Sequence, residues 1–187
     1  MIDKEDSSSS TLRLLAGEAL KIWTTKAVLK LLSDEDYIVR TAAARELHMR
    51  NDEEIFSYLE KMASSQKGYE REISAYTLGQ LATPKRIYRE SSLPILLGLI
   101  KDQDSDVRSA ATAAFGHLYF RDMPSSVEHS LIALLDDESI DVRCCVAMSL
   151  GSALNVELAK QALAQLYKDK SSKVRGHAKL GLDILNS

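Results

Sequence analysis

One short acidic segment has the residue types of a cation site. Asp102, Asp104 and Asp106 alternate with polar residues, which is how a calcium-binding loop begins. Such a loop needs glycine at its sixth position and a bidentate glutamate at its twelfth, where this sequence has Val107 and Ala113. Aspartates at this spacing also cap helices and form turns, because their oxygens accept backbone N–H groups. We therefore interpret the segment as a turn and expect no metal ion.

The other reactive side chains form no catalytic pattern. Cys144 and Cys145 are adjacent, so at most one of them faces a helical core, and no histidine or asparagine beside them suggests an activated nucleophile. The histidines lack the i, i+4 spacing of metal ligands and are His48, His117, His129 and His177. The sequence also lacks a glycine-rich phosphate loop and a nucleophile elbow. It predicts a protein that is not an enzyme and has no cofactor.

Composition excludes several classes of protein. The chain has 187 residues, of which 45% are apolar and 27% are charged, as in a folded domain. No apolar run approaches the roughly 20 residues that span a bilayer. The polar, acidic N-terminus is unlike a signal peptide, and two adjacent cysteines fit a reducing compartment. We expect a cytoplasmic protein that does not contact membranes.

Acidic charge is concentrated in one part of the chain. The net charge is only −3, yet residues 102–141 carry nine acidic residues against two arginines. A field of that sign attracts basic partners and repels nucleic acid. A simple solvated face would have the same composition, so an interface and a solvated face both stay open.

A sequence repeat accounts for arginines that could otherwise suggest a nucleic-acid stripe. Five segments share an arginine, a compact residue three positions later and a large apolar residue four positions after that. The arginines are Arg40, Arg71, Arg108, Arg143 and Arg175, and they lie 31, 37, 35 and 32 residues apart. This spacing places the compact and the large residue on one face of a helix.

Each of these helices follows another amphipathic stretch, and a short acidic turn joins the two. One helical hairpin cannot bury its apolar face alone, whereas stacked hairpins can. The sequence therefore predicts an all-α protein, a right-handed α-solenoid of about five helical hairpins with an N-terminal capping helix over residues 11–24. We expect Trp23, at the end of that helix, to cover the first hairpin.

The repeat also predicts the domain boundaries. Residues 1–10 are expected to be a mobile tail, and residues 11–187 a single domain. The hairpins are expected near 26–50, 52–82, 92–120, 124–154 and 155–187. The longest interval between repeated arginines, 37 residues, predicts a short helical insert over 83–92.

Two segments resemble a known repeat. Residues 99–116, LIKDQDSDVRSAATAAFG, resemble a HEAT-like repeat of the kind described in phycobilisome lyases, and residues 134–151, LLDDESIDVRCCVAMSLG, repeat the pattern. The resemblance implies that each repeated arginine pairs with a turn aspartate of an adjacent repeat. The aspartates at that position are Asp34, Asp102, Asp137 and Asp169. A HEAT-like repeat is a scaffold, so it indicates a fold and says little about function.

A narrower resemblance lies in the first two repeats. Residues 37–48, YIVRTAAARELH, and 70–81, EREISAYTLGQL, resemble the start of enterobacterial HEAT-repeat proteins encoded beside Rhs toxins, and the likeness covers residues 26–82. Those relatives are immunity proteins that bind and block a sibling's toxin domain. The resemblance implies that this chain binds a cognate toxin domain, with a nuclease as one option. We expect it to be a monomer when free.

Candidate partner contacts follow from the solenoid. Second helices line its concave side, where aromatic, methionine and arginine side chains would anchor a partner and acidic turns would attract a basic one. The candidate partner-binding residues are Arg45, His48, Tyr76, Asp102, Asp104, Asp106, His117, Phe120, Asp136, Asp137, Asp141 and Met148. Ordinary packing between helices is the alternative role for the anchors.

Two other function classes stay open. A generic adaptor, or a lyase-type chaperone, would use the same scaffold to hold a housekeeping partner. A HEAT-like DNA glycosylase would need a basic concave groove, whereas the centre of this chain is acidic and its one tryptophan lies in the predicted cap. The sequence favours an immunity protein that binds a toxin domain and does not bind nucleic acid.

Overall fold

The computed structural model describes residues 11, 14–50, 52–83 and 85–186, and these residues contain helices and no strand. Residues 14–20 are helical. The further helices with described ends are α1 (Thr25–Lys30), α2 (Tyr37–His48), α3 (Glu53–Met62), α4 (Gly68–Leu78), α5 (Arg89–Leu99), α6 (Ser105–Leu118), α7 (Ser125–Ile132), α8 (Ile140–Leu150), α9 (Val156–Leu166) and α10 (Ser172–Leu185). A 3-10 turn, Leu31–Ser33, follows α1. The predicted tail over residues 1–10 lies outside the described residues.

The helices form two layers. The first helices of the hairpins are α1, α3, α5, α7 and α9, and each packs against the second helix that follows it. The second helices, α2, α4, α6, α8 and α10, pack side by side in chain order. The predicted all-α solenoid of stacked hairpins is confirmed, while its handedness and the domain boundaries stay predictions.

Aspartates in the connecting turns cap the N-termini of second helices. Asp36 accepts the N–H of Ile38 at 2.7 Å before α2, and Asp104 accepts the N–H of Asp106 at 2.9 Å before α6. These carboxylates satisfy backbone groups that have no partner within the helix. The acidic Asp102–Asp106 segment is thus a turn and a helix cap.

Small residues set the distance between neighbouring second helices. A Cβ atom built on Gly79 would lie 2.6 Å from the Cβ atom of Ala114, and one on Gly116 would lie 2.8 Å from Oγ of Ser149. These distances are shorter than any real carbon contact, so glycine permits the close approach of α4 to α6 and of α6 to α8. The Ser149 hydroxyl uses this proximity to donate to the Thr112 carbonyl at 2.9 Å.

A ladder of arginine–aspartate pairs links successive hairpins. In each pair, Nε and Nη2 of the arginine donate to the two carboxylate oxygens of an aspartate in the next hairpin. The pairs are Arg71–Asp102 at 2.7 and 2.8 Å, Arg108–Asp137 at 2.9 and 2.9 Å, and Arg143–Asp169 at 2.7 and 3.2 Å. The Nη1 atom of each arginine donates to a backbone carbonyl of its own turn. The predicted pairing is confirmed for these three arginines.

Within the described part of the chain, the first repeated arginine forms no such pair. Ser65 occupies the position at which the other repeats have aspartate. Arg40 donates to carbonyls of its own turn, and its guanidinium lies 4.8 Å from the centroid of the Tyr69 ring. Its Nε atom is buried without a partner in the part of the chain that the structure describes. A cation–π contact therefore replaces the first rung of the ladder.

Two expectations about the connections are wrong. The segment before α5 contains no additional helix within residues 79–83 and 85–88, and it turns through Ala82 and Arg86, whose φ angles are 56° and 50°. The helix α5 simply begins at Arg89. The N-terminal helix ends at residue 20, before the predicted residue 24, and Trp23 lies in the turn that follows it with 45% exposure. Leu20 belongs to the buried hydrophobic cluster, so Leu20 and not Trp23 is the side chain buried there.

The last residue of α2 is a buried histidine. His48 is 6% exposed, and its ring centroid lies 5.5 Å from that of Tyr76. Its Nε2 atom has no hydrogen-bond partner among the described residues. Burial, followed by the positive charges of Arg45 and His117, lowers the pKa of His48 to about 4. The fold therefore favours the neutral imidazole.

Arg108→Ala is expected to lower the free energy of unfolding by about 3–5 kcal/mol, because it leaves the buried Asp137 carboxylate without its counter-ion. Arg175→Ala is the matched control. Among the described residues, exposed Arg175 donates to carbonyls of its own turn and forms no ion pair, so its removal should cost less than about 1 kcal/mol. Urea unfolding followed by circular dichroism measures both values, and equal losses would contradict the stabilising role of the ladder.

Gly79→Ala is expected to destabilise the protein by about 1–3 kcal/mol, because the added methyl group collides with Ala114. Gly176→Ala in α10 is the control, since nothing lies within 4 Å of a Cβ atom at that position. It should stabilise the helix by about 0.5–1 kcal/mol. Thermal unfolding of both variants tests the helix spacing, and a stabilised Gly79→Ala variant would refute it.

Stability is expected to fall between pH 7 and pH 5 because of His48. Its pKa is about 4 in the folded protein against an ordinary 6.5, so the unfolded chain binds the proton first as the pH falls. The loss begins near pH 6.5 and reaches about 2 kcal/mol at pH 5. Arg71 and Arg143 lower the pKa of Asp102 and Asp169, so those groups lose their stabilisation only below about pH 4.

The variant His48→Gln should therefore have a flatter stability profile over this pH range. Urea midpoints at pH 5 and pH 7.5 measure the slope. His129→Gln is the control, because His129 is exposed in α7 and is not among the charges that act on His48. An unchanged slope in His48→Gln would show that another group causes the acid sensitivity.

Candidate functional site

The second helices expose one continuous groove made of two adjoining hollows. The apolar hollow has a volume of about 440 Å³, and its lining includes His117, Phe120, Cys145, Met148, His177 and Ile184. The acidic hollow has a volume of about 260 Å³, and its lining includes Tyr37, Glu72, Tyr76, Asp106, Ser109 and Asp141. Both hollows share Ala113 and Cys145, so they meet across α6 and α8.

Large side chains are exposed in the apolar hollow. Phe120 is 50% exposed and Met148 39% exposed, although both are apolar. Clustered exposed side chains of this kind mark interaction surfaces, and aromatic residues in a pocket contribute strongly to binding. The His177 ring lies beside them and is fixed by its Nδ1 contact of 2.8 Å with the Lys173 carbonyl oxygen. The hollow is therefore a preformed pocket suited to an apolar side chain.

The thiols in this hollow are poor nucleophiles. Burial raises the pKa of the Cys145 thiol to about 11, and it also raises the pKa of Cys144. Both groups are protonated at neutral pH, whereas a reactive cysteine is a thiolate. The two cysteines line the groove as small apolar side chains.

The acidic hollow brings together carboxylates from three successive second helices. Glu72 belongs to α4, Asp106 to the first turn of α6 and Asp141 to the first turn of α8. Among the described residues, Glu72 and Asp106 form no ion pair, and Asp141 pairs only with the exposed Lys173. Burial, and then the negative charge of Asp106, raises the pKa of Glu72. The positive charge of Arg40 lowers the pKa of Glu72 in turn, so the three carboxylates of the hollow outnumber the two cations that act on them, Arg40 and Lys173.

An unsatisfied hydroxyl lies in the same hollow. The Ser109 Oγ atom is buried and has no hydrogen-bond partner in the described part of the chain. Tyr76 lines the hollow as well and packs against His48. A buried hydroxyl without a partner is costly, so a group that donates to it or accepts from it would stabilise the site.

The structure brings half of the predicted partner contacts together. Those that line the groove are Tyr76, Asp106, His117, Phe120, Asp141 and Met148. They come from three second helices and from the residues that follow them, so the stacking of the hairpins assembles them. Arg45 is exposed near the end of α2, outside both hollows, and His48 is buried beneath Tyr76.

The remaining predicted contacts, which are aspartates of the connecting turns, form hydrogen bonds within the protein. Asp102 and Asp137 each accept two hydrogen bonds from a ladder arginine, so their carboxylates are not free to meet a partner. Asp104 caps α6, and Asp136 accepts from the Gln165 amide at 3.4 Å on the turn edge. Their position in the hairpin explains this difference. Aspartates in the connecting turns lie against the neighbouring hairpin, whereas the residues that line the groove stand about four positions later, in the second helices.

Sequence reasoning missed several groove residues. Tyr37, Cys145, His177 and Ile184 line the hollows and were not among the candidates. His177 and Cys145 stand at the same position of their repeats, two residues after the ladder arginine. The repeat register therefore contained the signal for both of them.

Other features of the structure are weaker candidates for a functional site. A hollow of about 690 Å³ lies on the turn edge, but its lining includes Arg143 and Asp169, which already pair with each other. No group of three or more metal-ligating side chains occurs among the residues that the structure describes. Nor is any helix among them long and apolar enough to cross a membrane.

Known proteins share this architecture. Protein YibA of Escherichia coli (strain K12) is 26% identical over 161 residues, which cover 84% of this chain and 56% of YibA. The chain thus spans little more than half the length of that relative. The crystal structure of YibA gives a TM-score of 0.77 at 21% identity, over 100% of this chain and 64% of that chain.

Two further solved structures have the same fold. A designed armadillo repeat protein in complex with peptide (KR)4 gives a TM-score of 0.66 at 18% identity, over 99% of this chain and 95% of that chain. A structure in which Kap95p binds RanGDP gives a TM-score of 0.72 at 15% identity, over 90% of this chain and 24% of that chain.

A family model decides the classification of the repeats. The model for HEAT repeats matches residues 24–116 and again 93–183, which together include all five hairpins from α1 to most of α10. The predicted HEAT-like repeats are thereby confirmed. The chain belongs to the HEAT-repeat family.

Proposed function

We propose that this chain is a non-enzymatic protein-binding scaffold whose partner is a bacterial toxin domain that it neutralises in the cytoplasm. The observation that carries the proposal is the groove, in which exposed apolar anchors adjoin three carboxylates, of which Glu72 and Asp106 form no ion pair among the described residues. The resemblance of residues 26–82 to HEAT-repeat proteins encoded beside Rhs toxins supports a toxin as the partner.

The chemistry of the groove supports binding over catalysis. Its thiols are protonated because burial raises their pKa, and its carboxylates alternate with apolar side chains. Solved relatives in fold include a designed armadillo protein in complex with a peptide and Kap95p, which binds RanGDP. A HEAT solenoid that presents an open groove is suited to the same kind of contact.

Charge favours a basic partner over nucleic acid. Phosphate groups would be repelled by Glu72, Asp106 and Asp141, whereas a protein surface that itself binds nucleic acid is basic and would be attracted. A nuclease toxin has such a surface around its active site. An inhibitor that covers it with an acidic groove would block access of the substrate.

Phe120→Asp is expected to abolish protection of cells that produce the cognate toxin domain. The substitution places a charge in the apolar hollow and should weaken binding by at least about 100-fold. Tyr167→Asp is the control, because Tyr167 is equally exposed but lies at the end of α9, outside the groove. Growth rates and the affinities of the purified pair provide the two measurements.

Three outcomes decide the proposal. Protection by the wild type and by Tyr167→Asp, but not by Phe120→Asp, would support it. A wild-type chain that protects against no neighbouring toxin, and that captures a housekeeping protein, would replace it with an adaptor function. Retention of nucleic acid alone would overturn the charge argument.

A further inference from the structure

We propose that the groove recognises a short extended segment in which a lysine or arginine enters the acidic hollow and a large apolar side chain enters the apolar hollow. This inference rests on the proposed protein-binding function and names the chemistry that the groove accepts. It needs no particular toxin, since the two hollows define the segment by themselves.

The acidic hollow fits one cationic side chain. Its volume of about 260 Å³ is below the roughly 300–1,000 Å³ of typical small-molecule sites. Glu72 and Asp106 form no ion pair among the described residues, and Ser109 Oγ is buried without a partner. A guanidinium has five donors in one plane, which is enough to serve both carboxylates and the hydroxyl.

The walls of the hollow favour a cation as well. Tyr37 and Tyr76 line it, and aromatic faces attract guanidinium and ammonium groups. The present partner of Asp141 is Lys173, and both of these side chains are well exposed. Such exposed pairs contribute little, so an incoming cation can take the place of Lys173 at low cost.

The distance between the hollows fixes the spacing of the segment. The hollows adjoin at Ala113 and Cys145, but the acidic one is lined by the start of α6 and the apolar one by its end. One helix spacing combined with this displacement along the helix gives an expected separation of about 8–14 Å. An extended chain advances about 3.3 Å per residue. The basic and the apolar residue of the partner are therefore expected two to four positions apart.

The apolar hollow supplies the second half of the recognition. Phe120 and Met148 present exposed side chains around a floor that contains Cys145. Leucine, methionine or phenylalanine would bury its side chain against them. A segment with only basic residues would leave this hollow empty, and a segment with only apolar residues would leave the carboxylates unpaired.

Synthetic peptides test the inference on the intact chain. The first probe is Gly-Ser-Arg-Ser-Leu-Ser-Gly, the second replaces its arginine with glutamate, and the third replaces its leucine with alanine. Titration into the isotope-labelled protein, followed by NMR, measures weak affinities up to about 1 mM. The first peptide is expected to bind at least about tenfold more tightly than either of the others.

Matched variants assign the two preferences to the two hollows. Glu72→Gln combined with Asp106→Asn should remove the preference for arginine over glutamate and keep the preference for leucine over alanine. Phe120→Ala should do the reverse. Glu157→Gln is the control, since Glu157 lies exposed in α9 outside the groove, and it should change neither preference.

The result that overturns the inference is equal affinity for all three peptides, or preferences that survive in the groove variants. This failure is distinct from failure of the proposed function. A chain that protects against a toxin but shows no peptide preference would refute the inference alone. A chain that reads the peptides but protects against no toxin would refute the toxin as partner and leave the groove chemistry intact.

Discussion

The bidentate pairing of an arginine with an aspartate of the next hairpin is the interaction on which the arrangement of this solenoid depends. A planar guanidinium that meets both carboxylate oxygens fixes distance and angle together. Because Arg108 also donates to the carbonyl of Asp102, one side chain joins its own turn to the following turn. The stacking of second helices, with glycine where they touch, completes this geometry and leaves their open face as a groove.

The same interaction divides the acidic residues of the chain into two groups. Asp102 and Asp137 are buried in the ladder, where their charge is neutralised by arginine. Asp106 and Asp141 lie one helical turn further on and face the groove. Net charge alone therefore overstates what a partner meets, since part of the acidic content of residues 102–141 holds hairpins together.

Much of the fold follows from the sequence because the repeat carries it. The arginine spacing of 31 to 37 residues and the capping aspartates Asp36 and Asp104 are local signals, and the structure has the expected helices at those places. The connection before α5 was not predictable in this way. Ala82 and Arg86 adopt left-handed backbone conformations in this connection. Glycine and asparagine are the residues from which such a conformation is normally predicted, and neither stands at these positions.

The candidate site was predictable only in part, because hairpins from different parts of the chain build it together. The register identifies a face of each second helix, but it does not say which neighbouring side chains close a hollow. Ladder and groove positions also differ in how much they vary. All five repeats have arginine at the ladder position, whereas the next position, which lines the groove, holds Thr41, Glu72, Ser109 and Cys144 in the first four repeats. One position is fixed by stacking geometry and the other is free to vary, so the scaffold can change what it recognises without changing how it folds.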